Sequence, residues 1–147
     1  MIGLTFLRSA LPTVALAACV MFASPALAET ISFKADLKAN EEVPPNDSKA
    51  TGTVTATYDT ASKKLTWKGN YSGLTGPATM AHFHGPAEPG KNAGVAVPIT
   101  PSASPFENSA NLTDAQAADL LAGRWYVNVH TGAHPGGEIR GQLVKGM

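Results

Sequence analysis

The chain has 147 residues, and its 11 lysines and arginines balance 11 aspartates and glutamates, so the formal net charge at pH 7 is zero. That balance leaves no electrostatic footprint for nucleic acid or an anionic membrane surface. Cys19 is the only cysteine, which excludes an intrachain disulfide scaffold.

The first residues read as a secretory leader. Arg8 is its lone charge, an apolar run covers 10–23, and Ser24-Pro25-Ala26-Leu27-Ala28 puts small residues at the −3 and −1 positions of a cut between Ala28 and Glu29. The expected organisation is a signal peptide over 1–28 and one domain over 29–147, with the product periplasmic or secreted. An uncut membrane anchor needs about 20 apolar residues, and Pro25 interrupts the run. Leu16-Ala17-Ala18-Cys19 resembles a bacterial lipobox, which would leave Cys19 lipidated, but the chain stays apolar beyond it. Removing the leader removes the cysteine, so any metal is expected to rest on nitrogen and oxygen ligands.

Beyond Glu29 the chain consists of β-formers with turn punctuation. Ile31, Phe33, Ala35 and Leu37 alternate with polar residues, which predicts a half-buried strand over 31–37. The segment 40–47, with Pro44 and Pro45, predicts a loop. Strands over 51–58 and 64–71, joined by Asp59-Thr60-Ala61-Ser62, read as a hairpin. A fourth strand over 78–84 follows the turn at 73–77. The Gly- and Pro-rich segment 85–94 is a loop, Val95, Val97 and Ile99 mark a fifth strand, and a short strand is expected near Phe106. One helix is expected: Thr113 and Gln116 form a capping box, Ala115, Ala118, Leu120 and Leu121 supply the apolar stripe, and Gly123 stops it. The strand over 125–130 alternates Trp125, Val127 and Val129 against Tyr126, Asn128 and His130. The last strand spans 138–144. Seven to eight short strands and one helix predict an all-β, antiparallel Greek-key β-sandwich.

All four histidines fall in two clusters, His82 with His84 and His130 with His134. His82 and His84 are two apart on a strand, so their rings share a face, with Cα atoms about 6–7 Å apart. Two imidazoles at that spacing can converge on one ion, and further histidines from another strand would complete the site. An all-imidazole set suits copper or zinc. Three ligands with an open position would make a reactive site, four a closed structural one. Binding needs neutral imidazoles, so affinity is expected to fall below about pH 6.5. The competing reading makes the histidines half-buried strand residues bonded to backbone. Glu138 and Arg140 share a face of the last strand. They read either as a general acid beside an anion-binding guanidinium or, preferably, as a buried ion pair in which Arg140 bridges to Glu42 or Glu138. Tyr126 shares a strand face with Asn128 and His130 and could line the site.

Three segments together resemble the chordin-domain (CHRD) family: Asn40-Glu41-Glu42-Val43-Pro44-Pro45, Ala81-His82-Phe83-His84-Gly85-Pro86, and Tyr126-Val127-Asn128-Val129-His130-Thr131 running into 135–143 with Pro-Gly-Gly-Glu-Ile-Arg-Gly-Gln-Leu. The resemblance implies a β-sandwich, an extracytoplasmic location and, for most members, no assigned activity. The functional expectation is thus an exported domain that binds copper or zinc through His82, His84 and His130, with His134 as a further candidate. One alternative is an extracellular interaction or adhesion module that holds a protein partner and no metal. Another is a copper redox enzyme similar to superoxide dismutase in architecture alone. Four histidines, with no aspartate inside their clusters, argue against the latter.

Overall fold

The structure is a computed structural model that describes residues 27–146. The leader and Cys19 lie outside these residues, apart from Leu27 and Ala28, which have no regular structure. The strands are β1 (Thr30–Lys38), β2 (Thr51–Asp59), β3 (Lys64–Ser72), β4 (Ala78–His84), β5 (Val95–Pro98), β6 (Phe106–Asn111), β7 (Tyr126–Thr131), β8 (Ile139–Gln142) and β9 (Val144–Lys145), with a 3-10 turn at Ala39–Glu41 and one helix, α1 (Asp114–Leu121). All pairings are antiparallel. The order is β5-β4-β7-β8-β1-β2-β3-β6, with β9 also on β1.

The two layers of the sandwich are therefore halves of one folded sheet. Alternation explains the closure: Phe33, Ala35 and Leu37 of β1, Val54 and Ala56 of β2, Leu65 and Trp67 of β3, Ala81 and Phe83 of β4, and Val127 and Val129 of β7 all turn into one core. Trp67 meets Phe83 edge-on at 5.1 Å between ring centroids, although β3 and β4 are not neighbours in the sheet. Phe83 also packs against Trp125 at 5.9 Å.

Two elements differ from expectation. The single strand expected over 138–144 is divided, giving nine strands. Leu143 turns into the core and donates its N–H to Trp125 O, so the strand breaks there: β8 lies between β7 and β1, and β9 pairs with β1 alone. The helix carries the capping box formed by Thr113 and Gln116, and Gly123 beyond it has φ of +75°. Its buried face, however, is Ala117 and Leu120, whereas Ala115 and Ala118 face solvent. Among the described residues, no helix is long and apolar enough to cross a membrane.

Candidate metal centre

The register of β4 against β7 places the histidines. Met80 lies opposite His130, His82 opposite Asn128, and His84 opposite Tyr126. Paired residues share a face, and here it is the outer one, because the residues between them fill the core. That face of β7 is nonetheless covered, and all six of its residues are buried. His84 and His130 are buried accordingly, while His82 is half-buried and reachable from solvent.

The three rings converge. Centroids are 5.0 Å apart for His82 and His130, 5.4 Å for His82 and His84, and 6.3 Å for His84 and His130. One ligand nitrogen from each lies within 4.8 Å of the other two. His82 Nδ1 is 3.1 Å from His130 Nε2. Two nitrogens bound to one ion at about 2.0–2.1 Å in tetrahedral geometry stand about 3.3 Å apart, so this pair already has a ligating separation.

A hydrogen bond fixes the tautomer of His130. His130 Nδ1 is 2.8 Å from the carbonyl of Pro135, which can only accept. The ring proton is thus on Nδ1 and the lone pair on Nε2, facing His82. His82 Nδ1 then donates to that lone pair, and a proton stands between the two nitrogens where an ion would bind. His84 Nδ1 lies 3.0 Å from the carbonyl of Ala93, and its Nε2 2.9 Å from Asn128 Oδ1. Both of these oxygens can only accept, so the neutral ring donates to one of them at a time, and Nε2 can ligate only when its proton is on Nδ1 and the Asn128 amide has turned away. Burial pushes the pKa values of His82 and His84 down; the neighbouring histidines add to this at His82, while at His84 the bonds to Ala93 and Asn128 oppose it without reversing it. The neutral form that binds metals therefore prevails at neutral pH.

The trio sits inside a recognisable sequence unit, since residues 33–143 match the CHRD domain. The chain belongs to the CHRD-domain family. No curated protein and no solved structure matches it, so the reading of this CHRD domain's site rests on its own geometry.

The remaining candidates separate from the trio. His134 is not part of the converging group. It lies in the turn after β7, where its N–H and carbonyl bond to Thr131. Tyr126 flanks the trio: its ring stacks on His84 at 4.8 Å with an interplanar angle of 4°. The Arg140 guanidinium lies over the Tyr126 ring, 3.5 Å from the centroid. Because β4 and β8 flank β7 on opposite sides, Tyr126 is held between imidazole and guanidinium.

The expected bridge from Arg140 to a carboxylate is not formed. Among the described residues the ion pairs are Lys34–Asp36, Lys63–Asp114 and Arg124–Asp119. Arg140 instead donates to Asn92 Oδ1 and to the carbonyl of Lys91. Two neutral acceptors and an aromatic face satisfy the buried guanidinium, and they tie the 85–94 loop, which carries the Ala93 carbonyl, onto β8. Glu138 is neither a general acid at the trio nor an ion-pair partner. Its carboxylate is fully buried and accepts from Ser48 Oγ (2.6 Å), Thr75 N (2.9 Å), Thr75 Oγ1 (2.8 Å) and Thr131 Oγ1 (2.6 Å). Asn128, Ala93 and Pro135 are the positioning residues that sequence reasoning missed. Only Asn128 left a signal, through its place between Tyr126 and His130 in the alternating strand.

Glu42 is buried, and its Oε1 has no hydrogen-bond partner among the described residues. Gly137, at φ of +130°, backs onto it, and a Cβ there would collide with the Glu42 carboxylate and the Asn128 amide. Burial pushes the Glu42 pKa from 4.5 up to about 7, although the Arg140 charge pulls the other way. Between those values the folded chain holds a proton that the unfolded chain has lost, so raising the pH drains stability, by about 3 kcal/mol in all. Glu42→Gln removes this titration. Urea unfolding at pH 5 and pH 8 is expected to show the variant gaining stability relative to the parent at the higher pH. An unchanged difference between the two proteins would place Glu42 in water.

Proposed function

We propose that this CHRD domain binds one transition-metal ion, copper or zinc, through His82, His84 and His130, and that it acts outside the cytoplasm. The convergence of three imidazoles from two paired strands, with ligand nitrogens within 4.8 Å, carries the reading. The fixed tautomer of His130 supports it, because a ligating histidine commonly donates its other N–H to a carbonyl that orients the ring. The reachable face of His82 leaves room for a further ligand, which fits metal handling or an open, reactive site better than a closed structural one. Bound copper would supply one-electron redox chemistry there, and bound zinc Lewis acidity. The location follows from the leader read at 1–28 and from the extracellular character of the family.

Calorimetric titration of the chelator-stripped full chain with Cu(II) and with Zn(II) tests this. The expected result is one ion per chain for at least one metal, with no binding when His82, His84 and His130 are all replaced by alanine. A parent chain that takes up neither ion at micromolar concentration would return the domain to the interaction-module reading.

A further inference from the structure

Met80 carries the only sulfur atom among residues 27–146, because Cys19, Met1, Met21 and Met147 all lie outside them. It stands on β4 two residues before His82, on the same outer face, and its register partner across the sheet is His130. Side chains directly opposed in an antiparallel pair have Cβ atoms about 4.5–5.5 Å apart. The unbranched thioether, with three rotatable bonds, can therefore sweep over the His82–His130 pair. The ladder is irregular between Ala78 and Met80, and such irregularities re-aim the side chains beside them.

Met80 is 48% exposed and does not belong to the core cluster or to the apolar residues packed on it. A single exposed apolar side chain is ordinary on a protein surface. What distinguishes this one is its chemistry and its place, a soft donor at the rim of three imidazoles on the side left open to solvent.

Resting on the metal reading above, we infer that Met80 is the fourth ligand of the His82–His84–His130 site and makes copper, in its Cu(I) state, the preferred ion. Thioether sulfur is a soft donor that favours Cu(I), whereas imidazole suits both copper and zinc. The expectation of nitrogen and oxygen ligands only, drawn from the absence of a thiolate, passes over this thioether.

The test compares the full chain with Met80→Leu, which keeps the side chain's size and removes its sulfur. Cu(I) affinity is measured by competition with a chromophoric Cu(I) chelator under anaerobic, reducing conditions, and Zn(II) affinity in parallel. The variant is expected to bind Cu(I) about tenfold or more weakly while Zn(II) affinity stays within about twofold. X-ray absorption of the Cu(I)-loaded parent should show a sulfur neighbour that Met80→Leu lacks. Equal Cu(I) affinity in the two proteins would overturn the inference and leave the histidine site standing. A parallel loss for both ions would also overturn it, because that pattern belongs to a residue supporting the strand. A parent chain that binds neither ion would instead sink the histidine reading itself, and this inference with it.

Discussion

Glu138→Ala is expected to lower folding stability by about 3–5 kcal/mol, the range for stripping one partner from a buried charged network. The carboxylate is 0% exposed and gathers four donors from three separate stretches of chain: Ser48 before β2, Thr75 in the turn before β4, and Thr131 at the end of β7. Its own backbone adds two ties, with Glu138 N–H donating to Val129 O and Glu138 O accepting from Asn46 Nδ2. Truncation leaves three hydroxyls and an amide N–H facing a void that offers no acceptor. Burial alone would raise the pKa of Glu138, but the bonds from Ser48, Thr131 and Thr75 outweigh it and hold the value at about 2. The folded-state pKa thus lies below the unfolded one. The stabilisation is fully present above about pH 4.5 and is lost as the pH falls toward 2. Urea midpoints at pH 7, read at constant slope, check the loss. Glu138→Gln, which keeps one acceptor oxygen, should fall between parent and alanine variant. A loss under about 1 kcal/mol in Glu138→Ala would mean that water, not the protein, solvates this carboxylate.

The contrast between Glu138 and Arg140 shows what the sequence left hidden. Local patterns were legible because they are set by periods of two and by short motifs. The alternation in β1, the hairpin of β2 and β3, and the capping box of α1 each depend on residues within one element. The partners of Glu138 stand 90, 63 and 7 residues away, and those of Arg140 stand 48 and 49 residues away in an irregular loop. No period announces such contacts, and opposite charge alone does not join Arg140 to Glu42 or Glu138. The division of the last strand was hidden for a similar reason: Leu143 answers to Trp125 across the sheet, not to its own neighbours. The candidate site falls between these cases. The pairing of His82 with His84 on one face follows from their spacing. That His130 joins them depends on the register of β4 on β7, which a one-residue slip would reverse by turning His130 to the other face. His134, the nearest in sequence, is carried away by the turn at Thr131.

His130→Ala is expected to weaken metal binding by more than about 100-fold, beyond the 10–100-fold typical of residues that only orient a ligand. His130 Nε2 is the nitrogen closest to His82, and its tautomer is set by the Pro135 carbonyl, so its loss leaves two imidazoles where the geometry needs three. The cost to folding should be modest, about 1–2 kcal/mol for the lost bond to Pro135 and the space vacated, since the ring stands on the outer face of β7 and not in the core. Asn128→Ala offers a comparison. It removes the amide that occupies His84 Nε2 without removing a ligand, so no loss of affinity is expected. His134→Ala is the control and should leave affinity unaltered. The measurement is competitive titration of each folded variant with one metal at one pH. Retained affinity in His130→Ala, or an equal loss in His134→Ala, would mean that the ion is held elsewhere. The contrast follows from geometry alone, because His130→Ala deletes a nitrogen from the trio, Asn128→Ala frees one from a competing amide, and His134→Ala touches neither.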